Sequence, residues 1–225
     1  MPSYGRGVTS QNAVGDLSPT ERSTIRRGRA RAVADRAVLH AILDAGLVCH
    51  LAVVVDGAPR VLPTGYGRDG DTLYLHGSTG ARSLREAGQV CVAVTLLDGI
   101  VYARSAFDHS MNYRSAVVHG DAVAVTEPDA KLHALRVLTE HLAPGSWDYS
   151  RRPTPKELAA TSVIALDLAE ASVKLRDGGP GDEEADVAAN AVWAGVLPIT
   201  TSFGTPVPAA DLRGEWDVPG HVSRR

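Results

Sequence analysis

Leu47-Val-Cys49-His-Leu-Ala-Val-Val-Val55-Asp56-Gly57-Ala-Pro-Arg60-Val-Leu-Pro-Thr64-Gly-Tyr-Gly67-Arg-Asp-Gly70-Asp-Thr72-Leu-Tyr-Leu75 is the stretch that decides the architecture. Leu47 to Val55 is almost continuously apolar and rich in β-branched residues, which suits a strand buried on its faces. Asp56-Gly57 favours a tight two-residue hairpin, so Pro59 to Gly67 is expected to return as the partner strand. Arg68 to Asp71 makes a second turn, into a strand over Thr72 to Leu75. Antiparallel pairing is the only kind that such short connections allow.

Outward from this stretch the same grammar continues. Before it, Val33, Ala37, Val38, Ala41, Ile42 and Ala45 recur at helical spacing from about Arg31, and Gly46 is a natural stop. After it, Gln89 to Leu97, an Asp98-Gly99 turn and Ile100 to Ser105 are expected as two more strands. Ser115 to Thr126 follows as a long strand, with Gly120 marking a bend or bulge. Thr126-Glu127-Pro128-Asp129 has the pattern of a capping box opening a helix with Leu132, Leu135, Leu138 and Leu142 on one face, ended by Pro144-Gly145. A short helix over Pro155 to Ala160 leads to a last strand, Ser162 to Leu175. The sum is about seven strands with helices at the edges. The fold class expected is mainly β with peripheral helices, the antiparallel sheet tending to close into a barrel. Residues 1–28 are expected as a mobile arm, 29–199 as the folded domain and 200–225 as a proline-rich tail.

Composition narrows the function classes. Apolar residues make up 44% and charged residues 22% of 225, ordinary values for a globular chain. The formal net charge is −3 with dispersed basic residues, and aromatic residues are only 5%, so neither nucleic acid nor an anionic membrane is a favoured partner. No apolar run approaches the ~20 residues of a membrane span, and the N-terminus lacks a signal-peptide core, so a cytoplasmic protein is expected. Cys49 and Cys91 both lie in strand-like runs and read most simply as free thiols. The acidic run Asp182 to Asp186 reads as a solvated loop or helix start.

Tyr74-Leu-His76-Gly-Ser78-Thr-Gly80-Ala-Arg82-Ser-Leu-Arg-Glu-Ala-Gly88 carries the chemistry that stands out. A strand end, a run of small and hydroxyl residues and a helix start with an arginine fit a phosphate seat. They fit an ordinary capped helix after a strand as well. Two other motifs fail on physical grounds. Gly65-Tyr-Gly67-Arg-Asp-Gly70 spells a dinucleotide fingerprint, but a strand rather than a helix follows it. Asp108-His109-Ser110 has the residue types of a triad, yet a triad is a spatial arrangement that adjacent side chains do not make. The histidines show no metal-ligand spacing, and His133 and His141 read as surface residues.

Four segments, in order, resemble the flavin-nucleotide-binding split barrels related to pyridoxamine 5′-phosphate oxidase, closest to the branch of nitroimidazole-resistance-type reductases. They are Gly57 to Thr64, Leu73 to Arg82, Ser105 to Gly120 with its Tyr113-Arg114-Ser115, and Ala191 to Pro198 with Trp193-Ala-Gly195-Val-Leu-Pro198. The resemblance implies an FMN-binding split β-barrel that works as a homodimer. It implies a phosphate-binding Arg60, with Val61, Leu62, Pro63 and Thr64 along the flavin. It places Leu75, His76, Gly77, Ser78, Gly80, Ala81 and Arg82 at the phosphate, Arg82 standing where the oxidases have a lysine and Ala81 where they have an arginine. Tyr113, Arg114 and Ser115 would approach the flavin, and Trp193 of the partner subunit would cover it or its ribityl chain, unless it is simply a dimer-core aromatic. His76 resembles a histidine that faces the isoalloxazine as donor or proton shuttle; a histidine satisfied by backbone is the plainer account. The C-terminal segment Asp211 to Val222 lacks the arginine–histidine pattern that holds pyridoxal, which speaks against vitamin B6 oxidation.

The function this implies is an FMN-dependent oxidoreductase taking hydride or electrons from a reduced nicotinamide, NAD(P)H, to a small-molecule acceptor. The alternatives are a flavin- or haem-binding protein without turnover, and a deazaflavin-dependent reductase on the same barrel.

Overall fold

The computed structural model of the protein describes residues 16–17, 20–85 and 88–223. A 3-10 turn at Arg29–Arg31 leads into β1 (Ala32–Val33) and α1 (Arg36–Ala45). Then come β2 (Cys49–Val55), β3 (Ala58–Thr64), β4 (Tyr66–Asp69), β5 (Thr72–Ser78) and the one-turn α2 (Arg82–Arg85). The long strands β6 (Gln89–Tyr102) and β7 (Ser110–Asp121) precede the short β8 (Val123–Ala124). Helices α3 (Pro128–Leu142), α4 (Ser146–Tyr149) and α5 (Pro155–Ala160) follow, then β9 (Thr161–Asp167) and β10 (Glu170–Arg176). The last elements are α6 (Glu184–Ala189), β11 (Gly195–Pro198) and α7 (Gly220–Ser223).

All pairings among these strands are antiparallel and they make two sheets. One runs β1-β10-β7-β6-β2-β3, with β11 on β6 beyond the end of β2, and the other runs β4-β5-β9-β8. The expectation of one closed barrel is corrected here. The ladder of β3 ends at Thr64 and that of β4 begins at Tyr66, so the chain changes sheets at Gly65 and the two sheets stay separate ladders. Their inner faces share one core that includes Leu51, Val53, Leu73, Leu75, Val92, Val94, Val118 and Leu166. Each such side chain contributes about 1.5–3 kcal/mol by leaving water.

The opening hairpin stands as read: Asp56 (φ 54°) and Gly57 (φ 73°) form the turn, and Cys49 to Val55 pairs with Thr64 to Ala58. Both central residues have positive φ, as a type I′ turn needs. α1 begins later than expected, at Arg36, because the Asp35 carboxylate accepts from the Ala37 N–H at 2.8 Å and Ala32–Val33 instead pair with β10. Gly46 ends the helix for a reason of space. A Cβ there would lie 2.6 Å from Val94 and 2.7 Å from the Tyr66 hydroxyl.

Four further expectations change, the first being the single strand over Ser115 to Thr126, which is β7 ending at Asp121 and a separate β8 in the other sheet. Asp98-Gly99 is a bulge inside β6 and not a hairpin turn, so two expected strands are one of 14 residues. Ser162 to Leu175 is two strands, β9 and β10, reversing at Leu168-Ala169. The helix after Thr126 starts at Pro128 with Glu127 as an N-cap that makes no side-chain bond; the capping box is at Thr154 and Glu157, opening α5. Of the expected arm, the segment just before β1 is tied to β10, where the Arg22 fork grips Glu170 at 2.6 and 2.8 Å. Residues 1–15 and 18–19 of that arm lie outside the described residues. In the described part of the tail α7 is the regular element, and its His221 ring rests 4.9 Å from Tyr149. Among the described residues no helix is long and apolar enough to cross a membrane.

Candidate functional site

The β2–β3 hairpin and α2 build the first cluster. Arg60 lies opposite Val53, and Leu62 opposite Leu51, so both point to the core side of the sheet. Val61 and Pro63 point to the other side, with Val61 62% exposed. β3 is the last strand of its sheet, which leaves one edge of its backbone outside any ladder. The Arg60 guanidinium makes no hydrogen bond or ion pair with another described residue. Arg82 reaches from α2 to the hairpin and holds Asp56 with both arms, at 2.7 and 2.8 Å. The hairpin therefore carries Arg60 on its second strand, and its turn carboxylate, Asp56, is held by Arg82.

The expected phosphate seat at the helix start is changed by this geometry. α2 has only four residues, too few for a helix dipole of consequence. Three of the small-residue N–H donors are already used: Thr79 donates to the Ala160 carbonyl, Gly80 to the Ser78 hydroxyl and Ala81 to the Ser78 carbonyl, at 2.9–3.2 Å. What this stretch offers an anion is side-chain charge. Gly77 is small for another reason, since a Cβ would stand 2.6 Å from Leu84. The Leu75 side chain is in the core, so only its backbone faces outward. Residues 86–87, over which the sequence pattern continues the helix to Gly88, lie outside the described residues.

His76 is elsewhere. Its neighbour Leu75 points into the core, and alternation turns His76 out beneath α3. There it lines a groove of about 450 Å³ with Leu135 and Thr139 of α3, Trp147 of α4, and Arg151, Pro153, Glu157 and Thr161 around α5. Neither Arg60 nor Arg82 is among the lining. The His76 imidazole has no hydrogen-bond partner among the described residues, so the backbone-satisfied account is not what is seen. The groove wall is built tightly. Glu140 accepts from the Gly145 and Trp147 N–H groups at 2.8 Å each, and the Arg152 guanidinium stacks 4.8 Å over the Trp147 ring. Arg151 holds Glu157 at 2.6 and 2.9 Å. That fork, joined by the backbone N–H and hydroxyl of Thr154, pulls the Glu157 carboxyl down to about 2.

The remaining expected site residues are not gathered with these in this chain. Tyr113, Arg114 and Ser115 lie opposite Leu97, Leu96 and Thr95 in mid-sheet. They stand three strands from β3, roughly 14 Å away at strand spacing. Arg114 closes its fork on Asp98 at 2.7 and 2.9 Å, beside the bulge. Trp193 sits at the far end of β6, its ring 6.0 Å from Tyr102. β2 meets β6 at Cys91–Ala93 and β11 meets it at Gly99–Tyr102. Cys91 and Tyr102 are therefore about 35 Å apart along the strand at ~3.3 Å per residue.

Sequence reasoning missed a second polar centre at this end. Asp182, expected in a solvated acidic run, has a side chain only 1% exposed and takes the Arg104 N–H at 2.7 Å and its guanidinium at 2.6 Å. Burial pushes the Asp182 carboxyl up, but the Arg104 backbone and side chain outweigh it and leave it below the usual carboxylate range. No local signal marks one acid of a run as the buried one. The triad-like Asp108-His109-Ser110 makes no relay, since His109 Nδ1 accepts from the Ala103 N–H at 3.1 Å. Both cysteines are free, and burial pushes the Cys49 thiol up to about 12. His133 is an exposed residue paired with Asp69 at 2.9 Å. His141 is half-buried rather than on the surface, because its Nε2 donates to the Gly46 carbonyl at 2.7 Å and its ring packs 4.8 Å from Tyr66. Among the described residues no three His, Cys, Asp or Glu side chains converge on a metal position.

Two separate antiparallel sheets around one core, with β3 a free edge strand, are the arrangement of a split barrel. The match is specific: residues 35–175 fit the family model described as pyridoxamine 5′-phosphate oxidase, and the chain belongs to that family. Flavocytochrome Anf3 from Azotobacter vinelandii is 36% identical with a TM-score of 0.87, over 92% of this chain and 98% of that one. The FAD and haem binding protein from Mycobacterium smegmatis is 40% identical with a TM-score of 0.82, over 86% and 96%. A putative 5-nitroimidazole antibiotic resistance protein from Bacteroides thetaiotaomicron shares the fold at 20% identity and a TM-score of 0.55, over 64% and 85%. No curated protein matches.

Proposed function

We propose that this protein is a flavin-binding electron-transfer protein that works as a pair of chains and holds a haem in the groove below α3. The observation that carries the flavin half is the Arg82 guanidinium closed on Asp56 at the turn of the β2–β3 hairpin, with Arg60 three residues beyond that turn on the edge strand β3. Two arginines at one corner suit a flavin phosphate, since a guanidinium fork matches phosphate oxygens in charge and shape. Arg82 exchanges the Asp56 carboxylate for the phosphate, and the backbone edge of β3 from Val61 to Thr64 lies along the ring.

The His76 groove supports the haem half, together with relatives at 36% and 40% identity that are a flavocytochrome and an FAD and haem binding protein. The fit rests on an imidazole with no partner among the described residues, facing a groove with the Leu135 side chain and the pinned Trp147 ring in its walls. Histidine is a common axial ligand of haem iron. His76 would supply that ligand while Trp147 and Leu135 exclude water from one face. Bound flavin supplies hydride acceptance and release of single electrons, and haem supplies one-electron chemistry. The chain's own part is to bind, orient and shield both groups.

Pairing of two chains is supported by the outward face of the larger sheet, where Val54, Val61 and Leu97 are all exposed. It fits also the place of Trp193, whose strand meets β6 at the end opposite β2 and so lies away from the β3 edge of its own chain. The enzymatic form of this reading is an oxidoreductase drawing on NAD(P)H.

The test is the visible spectrum of protein supplied with flavin and haem, before and after anaerobic NADH. Flavin absorption and a Soret band in one sample, with the flavin bands bleaching on reduction, support it. A colourless protein after both additions contradicts it.

A further inference from the structure

We propose that the C-terminal segment is a clamp on α4, with His221 as a positioning residue that sets the Trp147 ring in the wall of the His76 groove. The clamp acts from the side of α4 away from the groove. It goes beyond the reading above, since it rests on the groove itself and needs neither a bound cofactor nor a second chain.

α4 is one turn of four residues, Ser146–Tyr149, and a turn this short takes its shape from what holds it. Gly145, its cap, and Tyr149 are four residues apart and so lie on one side of the turn. Trp147 is two residues from each, about 200° round the axis, which aims it the other way, into the groove. Within the body of the protein Glu140 holds the start of the turn through the Gly145 and Trp147 N–H groups, and Arg152 covers the Trp147 ring.

The other side of α4 is held by the C-terminal segment at both ends. A Cβ on Gly145 would stand 2.8 Å from His221 Cβ and 3.2 Å from Cγ, so His221 is seated on the bare glycine backbone. Glycine is required there twice over, because its φ of 82° is also left-handed. The His221 ring then meets the Tyr149 ring at 4.9 Å. Tyr149 also walls a cavity of about 200 Å³ whose other sides include Leu212, Trp216, Val218 and Val222 of the segment. One histidine thus touches both ends of α4, with Trp147 between them.

The clamp is held weakly enough to lift. The His221 imidazole makes no hydrogen bond with a described residue, so its seat is packing alone. The hydrogen bonds donated by Leu212, Trp216 and Val222 stay inside the segment, going to Ala209, Arg213 and Pro219. Trp216 and Val207 are 66% and 89% exposed, which leaves little buried area to hold the segment down. Lifting frees the Tyr149 end of the turn, and the Trp147 ring loses its backing.

The experiment labels the full chain with fluorotryptophan and reads its fluorine NMR spectrum, with the resonances assigned through Trp147→Phe, Trp193→Phe and Trp216→Phe. The readout is the change in each resonance between light and heavy water, which grows with a ring's contact with solvent. His221→Gly removes both the seat and the ring. Its Trp147 value is expected to rise from that of a residue 9% exposed toward that of Trp193, 70% exposed, while the Trp193 value stays unchanged. His221→Phe keeps a flat ring on a Cβ and is expected to restore the native Trp147 value. An unchanged Trp147 value in His221→Gly would overturn the proposal, as would equal changes at Trp147 and Trp193, the mark of general loosening. A His221→Phe chain that behaves as His221→Gly overturns it also. No cofactor is added at any stage, so failure of the haem reading, seen in the spectrum of the haem-supplied protein, is a separate result.

Discussion

The Arg82 guanidinium and the Asp56 carboxylate face each other across the corner between α2 and the β2–β3 hairpin, joined at 2.7 and 2.8 Å. Both are about half exposed, so the pair adds little stability, on the order of 0–1 kcal/mol. On the proposed flavin reading it matters more as a competitor, because the flavin phosphate would have to displace the carboxylate to reach the fork. Asp56→Asn keeps the left-handed backbone of the turn, which asparagine tolerates. Flavin affinity is expected to rise about 3- to 10-fold by fluorescence titration, since a charge-assisted bond no longer has to be broken first. A weaker-binding Asp56→Asn would show that the carboxylate holds Arg82 in its binding position.

His76→Ala separates the two halves of the functional reading. Protein reconstituted with haem and flavin is expected to lose the Soret band of the native chain and to keep its flavin bands, because the His76 groove shares no lining residue with the Arg60–Arg82 corner. Loss of the flavin together with haem would place both groups in one site.

Glu157→Gln is expected to lower the thermal midpoint at neutral pH, by a difference that shrinks as the solution is made acid. The Arg151 fork and Thr154 depress the Glu157 carboxyl to about 2, against ~4.3 in an unfolded chain. A depressed acid stabilises fully above the unfolded value and loses that contribution as pH falls through the folded one. Melting curves by circular dichroism across that window check it, and a constant difference at all pH values would contradict it.

Tyr66→Phe should cost about 1–3 kcal/mol in urea unfolding, the scale of a buried acceptor left unsatisfied. The Tyr66 hydroxyl is buried and donates to the Leu43 carbonyl at 2.6 Å, tying α1 to β4. Burial also pushes this phenol well above its ordinary range, so no titration in the physiological window is expected to loosen it.

The opening hairpin was legible because Asp56-Gly57 is a local signal with one geometry. Its neighbours show the limit of such signals. Asp98-Gly99 has the same letters, yet β7 pairs along β6 on both sides of it and absorbs the dipeptide as a bulge. Leu168-Ala169 reverses the chain with no glycine or proline to mark it. Thr154-Pro-Lys-Glu157 carries a capping pattern as good as that of Thr126 to Asp129, and only the former closes its bonds.

The site was legible in its charges and not in its grouping. Arg82 is closed on the Asp56 carboxylate at the hairpin turn and Arg60 stands on the second strand of that hairpin. His76, near Arg82 in sequence, faces the other way because β alternation turns it under α3, whose position no local pattern fixes. Trp193 and Asp182 take their surroundings from long-range pairing with the far end of β6.

The most direct measurement is the flavin dissociation constant of Arg82→Ala beside that of the native chain, at equal salt. A loss of about 10- to 100-fold is expected, the worth of one charge-assisted phosphate contact. An unchanged constant would contradict the placement of the flavin phosphate at the Arg60–Arg82 corner.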